Sequence, residues 1–417
     1  MSAEPSATAD TVADKVGRTS STRAGWVGLW MATAAFVAML FARDFAATGA
    51  GLSIAGEALW GRDFVNVHSS GLLTLHGRLD VLYDLGAYRD FQSATYEGEL
   101  RGHIYSYPPV TLLYTWLLAL LPYPAAAIAW LAGTGAMFAA AARPYLQRAG
   151  LPMWIALVAP ASLVNIWAGH YGFLIGALWL AAWHQLPRRP LVAGMLIGLM
   201  VVKPHLAVLA PLILLARREW GAMAAAAAAA SLLVALSGLI FGWDLWVTYL
   251  TETTKLHAAM VDDTRSFFIT LMPTATPALA LLGVPLAAAA ACQIGLAIGA
   301  AGLLIWKMPQ DSMDAGLAAA AATFLVLPYG FAYDMTAVGL GALLLYRRAL
   351  KEGWLAQARP LLLMAALAPM TVMFFNSALV PVTPLLVGMQ LLAALGVWPR
   401  KLRRDRPATA LPCALPR

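Results

Sequence analysis

The sequence predicts an all-α integral membrane protein, a polytopic bundle of about twelve spans with a large extracytoplasmic first loop. Three observations predict it. Of the 417 residues, 61% are hydrophobic and only 12% are charged, with a mean hydropathy of +0.70, whereas an ordinary soluble domain is roughly 45–50% apolar and roughly 25% charged. The apolar residues gather into successive runs that approach the roughly 20 residues needed to cross a hydrocarbon core. Between the runs stand small basic clusters such as Arg188-Arg189, Arg217-Arg218 and Arg347-Arg348, the positive-inside pattern of cytoplasmic loops.

Residues 1–24 are polar and rich in Ser, Thr and Ala, with neither the apolar core nor the cleavage site of a signal peptide, and are expected to form a disordered cytoplasmic tail. The membrane domain is expected over 25–399 and a basic cytoplasmic tail over 400–417. Lys15, Arg18 and Arg23 precede the first apolar run, 25–41, so charge bias places its start in the cytoplasm and keeps it as an anchor. The stretch 44–107 then lies outside, and with Asp63, His68, Asp84, Asp90, Glu97, Arg101 and His103 among its ionisable residues it is too charged for hydrocarbon. A loop with short interfacial helices is expected there.

Further apolar runs follow at 110–121, 125–142, 153–167, 173–183, 191–202, 206–216, 223–241, 278–306, 315–327, 335–346, 361–374 and 385–398. Several are too short to cross and are expected to be tilted or broken at Pro and Gly, as happens where backbone lines a cavity. Charge bias allows an odd number of crossings between Tyr107 and Arg143, so one of the first two runs is expected to be re-entrant or interfacial. With every basic cluster placed in the cytoplasm, the polar breaks at 165–172, 203–205, 242–277, 328–334 and 375–377 all share the face of the first loop. The Ala-rich stretch 222–230 suits close helix packing.

The net charge of +7 and pI near 9.5 do not point to nucleic acid, because the basic residues are dispersed at helix ends and form no patch. Cys292 and Cys413 offer neither a disulfide framework nor metal-ligand spacing. No phosphate-binding Gly-rich loop, His-Glu-x-x-His motif or nucleophile elbow occurs, so ATP-driven transport and metalloprotease chemistry lose support.

Ionisable residues at membrane depth are costly and therefore candidates for function. Asp63, in Trp60-Gly61-Arg62-Asp63-Phe64, has the chemistry of a general base near the membrane surface; the plain alternative is a solvated loop carboxylate. Lys203-Pro204-His205 stands between two apolar runs with no acidic neighbour in sequence, which suits a phosphate, or else a lysine snorkelling to headgroups. His170 is either a donor to a substrate hydroxyl or a buried histidine satisfied by backbone. Asp334 is either a cavity carboxylate or an ion-pair partner. Arg265 suits a phosphate, or simply pairs with Asp262 and Asp263. Tyr107, before Pro108-Pro109, suits the start of a helix and an interfacial aromatic belt.

Taken in order, these motifs resemble glycosyltransferase family 87, the enzymes that depend on polyprenyl-phosphate sugars. The resemblance rests on Asp63-Phe64, Leu82-Tyr83-Asp84, Tyr107-Pro108-Pro109, Asn165 with Gly169-His170, Lys203-Pro204-His205 followed by Arg217-Arg218, and Pro328-Tyr329 with Tyr333-Asp334. It covers about 25–350. His170 stands where the family usually has Gln, and His68 where Tyr or Phe is common, which points to a different acceptor pocket.

The resemblance implies a GT-C-type bundle that takes mannose from a polyprenyl phosphate, on the extracytoplasmic side of the inner (plasma) membrane, and builds a cell-envelope glycolipid or polysaccharide with inversion. It places the catalytic base at Asp63, the donor phosphate at Lys203, His205 and Arg265, and the sugar and acceptor near Asn165, Tyr107, His170 and Asp334. Its partners would be the lipid-borne donor, a lipid or glycan acceptor and membrane lipids, with no nucleic acid, cofactor or metal. A secondary transporter or lipid flippase would also use broken helices and intramembrane Lys and Asp, but the charged first loop and the lack of a visible inverted repeat speak against it. A non-catalytic scaffold or inactive relative is the third reading.

Overall fold

The computed structural model describes residues 24–40, 42, 44, 53–54, 58–96, 100, 103–262, 267–354, 358–374 and 379–398. Arg265, the break at 375–377 and all of the two tails except residue 24 lie outside the described residues. The fold is helical. A first helix α1 (Ala24–Leu40) is followed by a two-residue antiparallel ladder, β1 (Ser53–Ile54) with β2 (Ala58–Leu59), then α2 (Phe64–Leu75), α3 (Leu85–Tyr96), α4 (Leu112–Ala119) and α5 (Tyr123–Ala149). The middle of the chain forms α6 (Ile155–Val158), α7 (Pro160–Ala168), α8 (Gly172–Gln185), α9 (Pro190–Gly198), α10 (Ala210–Ala216) and α11 (Trp220–Phe241). It ends with α12 (Trp243–Asp262), α13 (Phe267–Thr270), α14 (Ala275–Leu281), α15 (Leu286–Trp306), α16 (Ser312–Val326), α17 (Thr336–Glu352), α18 (Ala358–Phe374) and α19 (Val382–Ala394).

Among the described residues, α5, α11 and α15 are long and apolar enough to cross a bilayer, and shorter apolar helices accompany them. This is a helical membrane protein. Between the first loop and Arg143, α4 has 8 residues and α5 has 27, so of the two apolar runs there only α5 has the length to cross. The centre of the bundle is built by α8, α16 and the first two-thirds of α17, where most residues are buried, as apolar helix faces must be. In contrast, α11 and α15 turn Leu232, Leu239, Ile294 and Ile298 outward, as lipid-facing helices do. The Ala-rich start of α11 packs closely on α9, where a Cβ on Gly194 would stand 2.1 Å from Ala222 O.

Prolines set the breaks. A residue before proline is driven out of helical backbone into an extended conformation: Ala159 (ψ 147), Lys203 (φ −143, ψ 70) and Leu327 (ψ 134) all obey. The run at 153–167 therefore divides into α6 and α7. The run at 278–306 divides at Gly283-Val284-Pro285 between α14 and α15.

Two expectations for the loops need correction. The stretch 242–277 is no open loop where described: it holds α12, α13 and the start of α14. Trp243, Trp246, Val247 and Leu250 recur at helical spacing, and Tyr249 carries α12 back onto Tyr83, ring centroids 5.9 Å apart. The stretch after α1 is also less solvated than its charges imply. Nine of the 12 residues of α2 are buried, and α2 packs on α4 as part of the bundle.

Candidate active site

Asp63 ends a strained turn. Gly61 (φ 83) and Arg62 (φ 40) both take left-handed backbone, which for a side chain such as Arg costs about 1–3 kcal/mol and persists only when neighbours enforce it. The Arg62 guanidinium supplies the enforcement: Nη2 donates to Asp44 Oδ1 at 2.9 Å, and the group lies 4.1 Å over the Trp167 ring. Trp167 Nε1–H in turn donates to Asp44 Oδ2 at 2.8 Å. From the other side, the Asp63 N–H donates to Ala168 O at 3.0 Å. The backbones are so close there that a Cβ on Gly169 (φ 64) would stand 2.1 Å from Gly61 O.

Asp63 directly precedes α2, and a residue there commonly spends its side chain capping the helix. Here it makes no cap bond. His103 Nδ1 lies 3.2 Å from Asp63 Oδ1, and an ionised carboxylate only accepts, so Nδ1–H is the donor. Among the described residues Asp63 Oδ2 receives no hydrogen bond, and the side chain is 24% exposed. Burial pushes the Asp63 carboxyl up, but the His103 hydrogen bond and the charges of His103 and Arg62 outweigh it and hold the group below the usual carboxylate value. It is ionised at neutral pH.

Behind it lies a buried network. Lys203, extended by Pro204, sends Nζ to both oxygens of Asp334, at 2.8 and 2.7 Å. The two side chains are 6% and 0% exposed. Nζ is also 3.3 Å from His170 Nδ1; an ammonium has only donors, so Nδ1 accepts and neutral His170 carries its proton on Nε2, 2.6 Å from Tyr107 Oη. The His170 ring stacks on Tyr333 at 4.0 Å. Tyr107 is fixed from its other end, because Tyr83 Oη–H donates to Tyr107 O at 2.7 Å. Asp63 lies within Coulombic reach of both His170 and Lys203, which joins the turn to the network. A cavity of 20 Å³ touches Asp334 between α8, α16 and α17, room for about one water.

The model of glycosyltransferase family 87 matches residues 105–328, more than half of the chain. The chain belongs to glycosyltransferase family 87. No curated protein and no solved structure matches it.

The stretch matched to family 87 holds Tyr107, Asn165, His170, Lys203 and His205; Asp63 precedes it and Asp334 follows it. The fold brings Asp63, Tyr107, His170, Lys203 and Asp334 into one cluster. Asn165 is fully buried behind them, its Oδ1 accepting from Gly172 N–H at 2.9 Å and its carbonyl from Gly169 N–H, so it shapes the turn that presents His170. His205 is half-buried on the same break as Lys203 but beside Tyr329, ring centroids 5.8 Å apart. Arg265 lies outside the described residues. His68, expected to alter an acceptor pocket, bonds Tyr96 Oη at 2.8 Å and Leu121 O at 3.0 Å.

Sequence reasoning missed three features of this family 87 site. His103 passed as one charge among many in the loop, although it lies only four residues before Tyr107 and its neighbours are rich in Tyr and Pro. Asp44 and Arg62 gave no signal, because a clamp across 18 residues has no period. For Lys203 the sequence leaves a phosphate or the headgroups as partner, and for Asp334 a cavity or an ion pair; the structure shows the ion pair, with each the other's partner across 131 residues.

Proposed function

We propose that the chain transfers a sugar, mannose on the resemblance, from a polyprenyl-phosphate donor to a cell-envelope glycolipid or polysaccharide acceptor, with inversion, on the extracytoplasmic side of the plasma (inner) membrane. The observation that carries this reading is Asp63: an ionised, partly exposed carboxylate whose Oδ2 receives no hydrogen bond among the described residues, held by a strained turn in front of a buried Lys203–Asp334 ion pair. In the step, Asp63 Oδ2 takes the proton of the acceptor hydroxyl. The acceptor oxygen attacks the anomeric carbon opposite the phosphate, and the bond from that carbon to the phosphate oxygen breaks, its electron pair leaving with the lipid phosphate. One carboxylate suffices because phosphate is a tolerable leaving group, and cations at the break offset its growing charge.

Lys203 is the cation assigned to that task, with His205 on the same break and Arg265 assigned by the resemblance. The three ammonium protons of Lys203 already face Asp334 and His170, so direct contact with a donor phosphate requires the phosphate to replace one of them. Tyr107 and His170 present hydroxyl and imidazole groups suited to sugar hydroxyls, backed by Asn165 and Asp334.

The test is transfer of radiolabelled sugar from polyprenyl phosphate mannose into endogenous lipid, comparing membranes that hold the native chain or Asp63→Asn. Transfer is expected with the native chain and lost in the variant. Full activity of Asp63→Asn overturns the base assignment, and transfer from a nucleotide sugar but from no lipid-phosphate sugar overturns the donor class.

A further inference from the structure

The end of the bundle opposite Asp63 holds a second charged cavity. Helix α5 starts beside the site, where Tyr123 Oη–H donates to Trp60 O at 2.8 Å. This 27-residue helix ends at Ala149, about 40 Å away at ~1.5 Å per residue. Helix α17 makes a similar journey from Thr336, next to Asp334 in its break, to Glu352. Where these ends meet the start of α16 lies a cavity of 260 Å³, lined by the charged residues Arg148, Asp314, Arg347, Arg348, Lys351 and Glu352 and by the apolar Leu317, Leu344 and Leu345.

The charges do not cancel: four cations face two carboxylates. Arg348 Nη2 donates to Asp314 Oδ2 at 2.9 Å and Arg348 Nε lies 3.9 Å from Glu352. Arg148 is 3.0 Å from Asp311 and 3.9 Å from Asp314, and Lys351 Nζ donates to Ala149 O at 2.8 Å. Arg347 differs, because its Nε is buried and has no hydrogen-bond acceptor among the described residues. A buried guanidinium N–H without an acceptor, in a pocket with excess positive charge, is suited to an oxyanion.

The level of the cavity decides which oxyanion. Tyr346, next to Arg347 in the chain, meets Trp26 edge-on at 5.5 Å; Trp26 stacks on Trp30 at 6.4 Å, and Trp30 meets Trp154 at 5.6 Å. Trp154 is 55% exposed. Tryptophans and tyrosines grouped around basic residues at helix ends mark the membrane–water boundary, and the apolar part of the lining, Leu317, Leu344 and Leu345, suits the glycerol and upper acyl region of a lipid. We infer that this cavity binds the headgroup phosphate of an anionic phospholipid in the leaflet opposite Asp63, with Arg347 as direct ligand and Arg148 and Lys351 flanking it. Net positive lining selects headgroups that carry no compensating cation.

The test uses the full-length protein in neutral detergent, titrated with phosphatidylglycerol, phosphatidylcholine or inorganic phosphate, with bound lipid read by native mass spectrometry and stability by melting temperature. Phosphatidylglycerol is expected to stay bound and raise the melting temperature, and phosphatidylcholine to do neither. Arg347→Gln is expected to weaken phosphatidylglycerol binding about ten-fold, the loss of one charge-assisted contact, while Arg188→Gln, a basic residue outside the cavity, leaves it unchanged. Equal binding by Arg347→Gln and the native chain overturns the site, as does equal binding of phosphatidylcholine. Displacement of phosphatidylglycerol by inorganic phosphate at matched concentration reassigns the cavity to a soluble anion and overturns the lipid. Should Arg347→Gln not fold, Arg148→Gln, whose side chain is 49% exposed, carries the same comparison with a smaller expected loss.

Discussion

Asp63 and Asp334 are the same residue type within Coulombic reach of the same histidine, His170, and the fold has given them opposite surroundings. Asp334 is fully enclosed, and both of its oxygens accept from Lys203. It could take up a proton only by giving up a buried ion pair. Asp63 has one oxygen held by His103 and the other without a hydrogen bond among the described residues, and it keeps contact with solvent. A carboxylate becomes a usable base through what is left unsatisfied around it, and a support through what is saturated. The pair thus divides the cluster into a working mouth and a fixed back wall.

The largest expected effect separates the two by activity. Asp63→Asn keeps the shape and removes the base, so kcat is expected to fall about 10²–10⁴-fold, the usual contribution of a positioned general base, with the melting temperature unchanged. Asp334→Asn is expected to do the reverse and act first on stability: a buried Lys203 without its counter-ion costs about 3–5 kcal/mol, measured by denaturation in detergent. The double variant Lys203→Met with Asp334→Leu should recover most of that stability, since it removes both charges. If Asp334→Asn leaves stability intact and abolishes turnover, the assignment of mouth and wall is inverted.

A smaller effect tests the turn that holds Asp63. Gly169→Ala places a Cβ where Gly61 O stands 2.1 Å away, on backbone at φ 64. The two strands of chain must part, at a cost of about 1–3 kcal/mol. Because Asp63 N–H is tied to the neighbouring Ala168 O, kcat should fall while KM changes little. A normal kcat in a destabilised Gly169→Ala protein would show that the turn does not set the position of the base.

The sequence made the apolar helices legible, because their runs and the prolines that end them are local signals. Lys203 fell on a break for a reason visible in the chain itself, the proline after it. The candidate site was legible as a set of residues and illegible as a set of contacts. Asp63, His170, Lys203 and Asp334 were each singled out, but the partner of Lys203 was sought in a ligand because ion pairing over 131 residues leaves no pattern in sequence. Helix α12 was read as loop because Asp244, Glu252 and Lys255 lower its average hydropathy, although Trp243, Trp246, Val247 and Leu250 already carried a helical period. The burial of α2 was hidden for a related reason: its polar residues Asn66, His68 and Ser69 find their partners on α3 and at the end of α4, which composition alone cannot anticipate.

The smallest effect sharpens the contrast at its finest point, the His103 hydrogen bond. If Asp63 is the base, activity is expected to hold through neutral pH and to be lost as pH falls through the Asp63 pKa, which lies below the usual carboxylate value. In His103→Ala, burial still pushes the carboxyl up, while the hydrogen bond and the charge of His103 no longer push it down. The acid limb of kcat/KM should therefore move to higher pH, with a loss of about ten-fold or less on the plateau. Stability follows the same sign: a depressed folded pKa contributes above the unfolded value and is lost as pH falls through the folded one, so the native protein should lose melting temperature over that acidic window more steeply than His103→Ala. His103→Gln, which keeps a neutral donor, should restore part of both shifts. An acid limb that stays in place in His103→Ala would mean that the remaining surroundings, the Arg62 charge among them, hold Asp63 ionised, and His103 would then be a packing residue of the mouth.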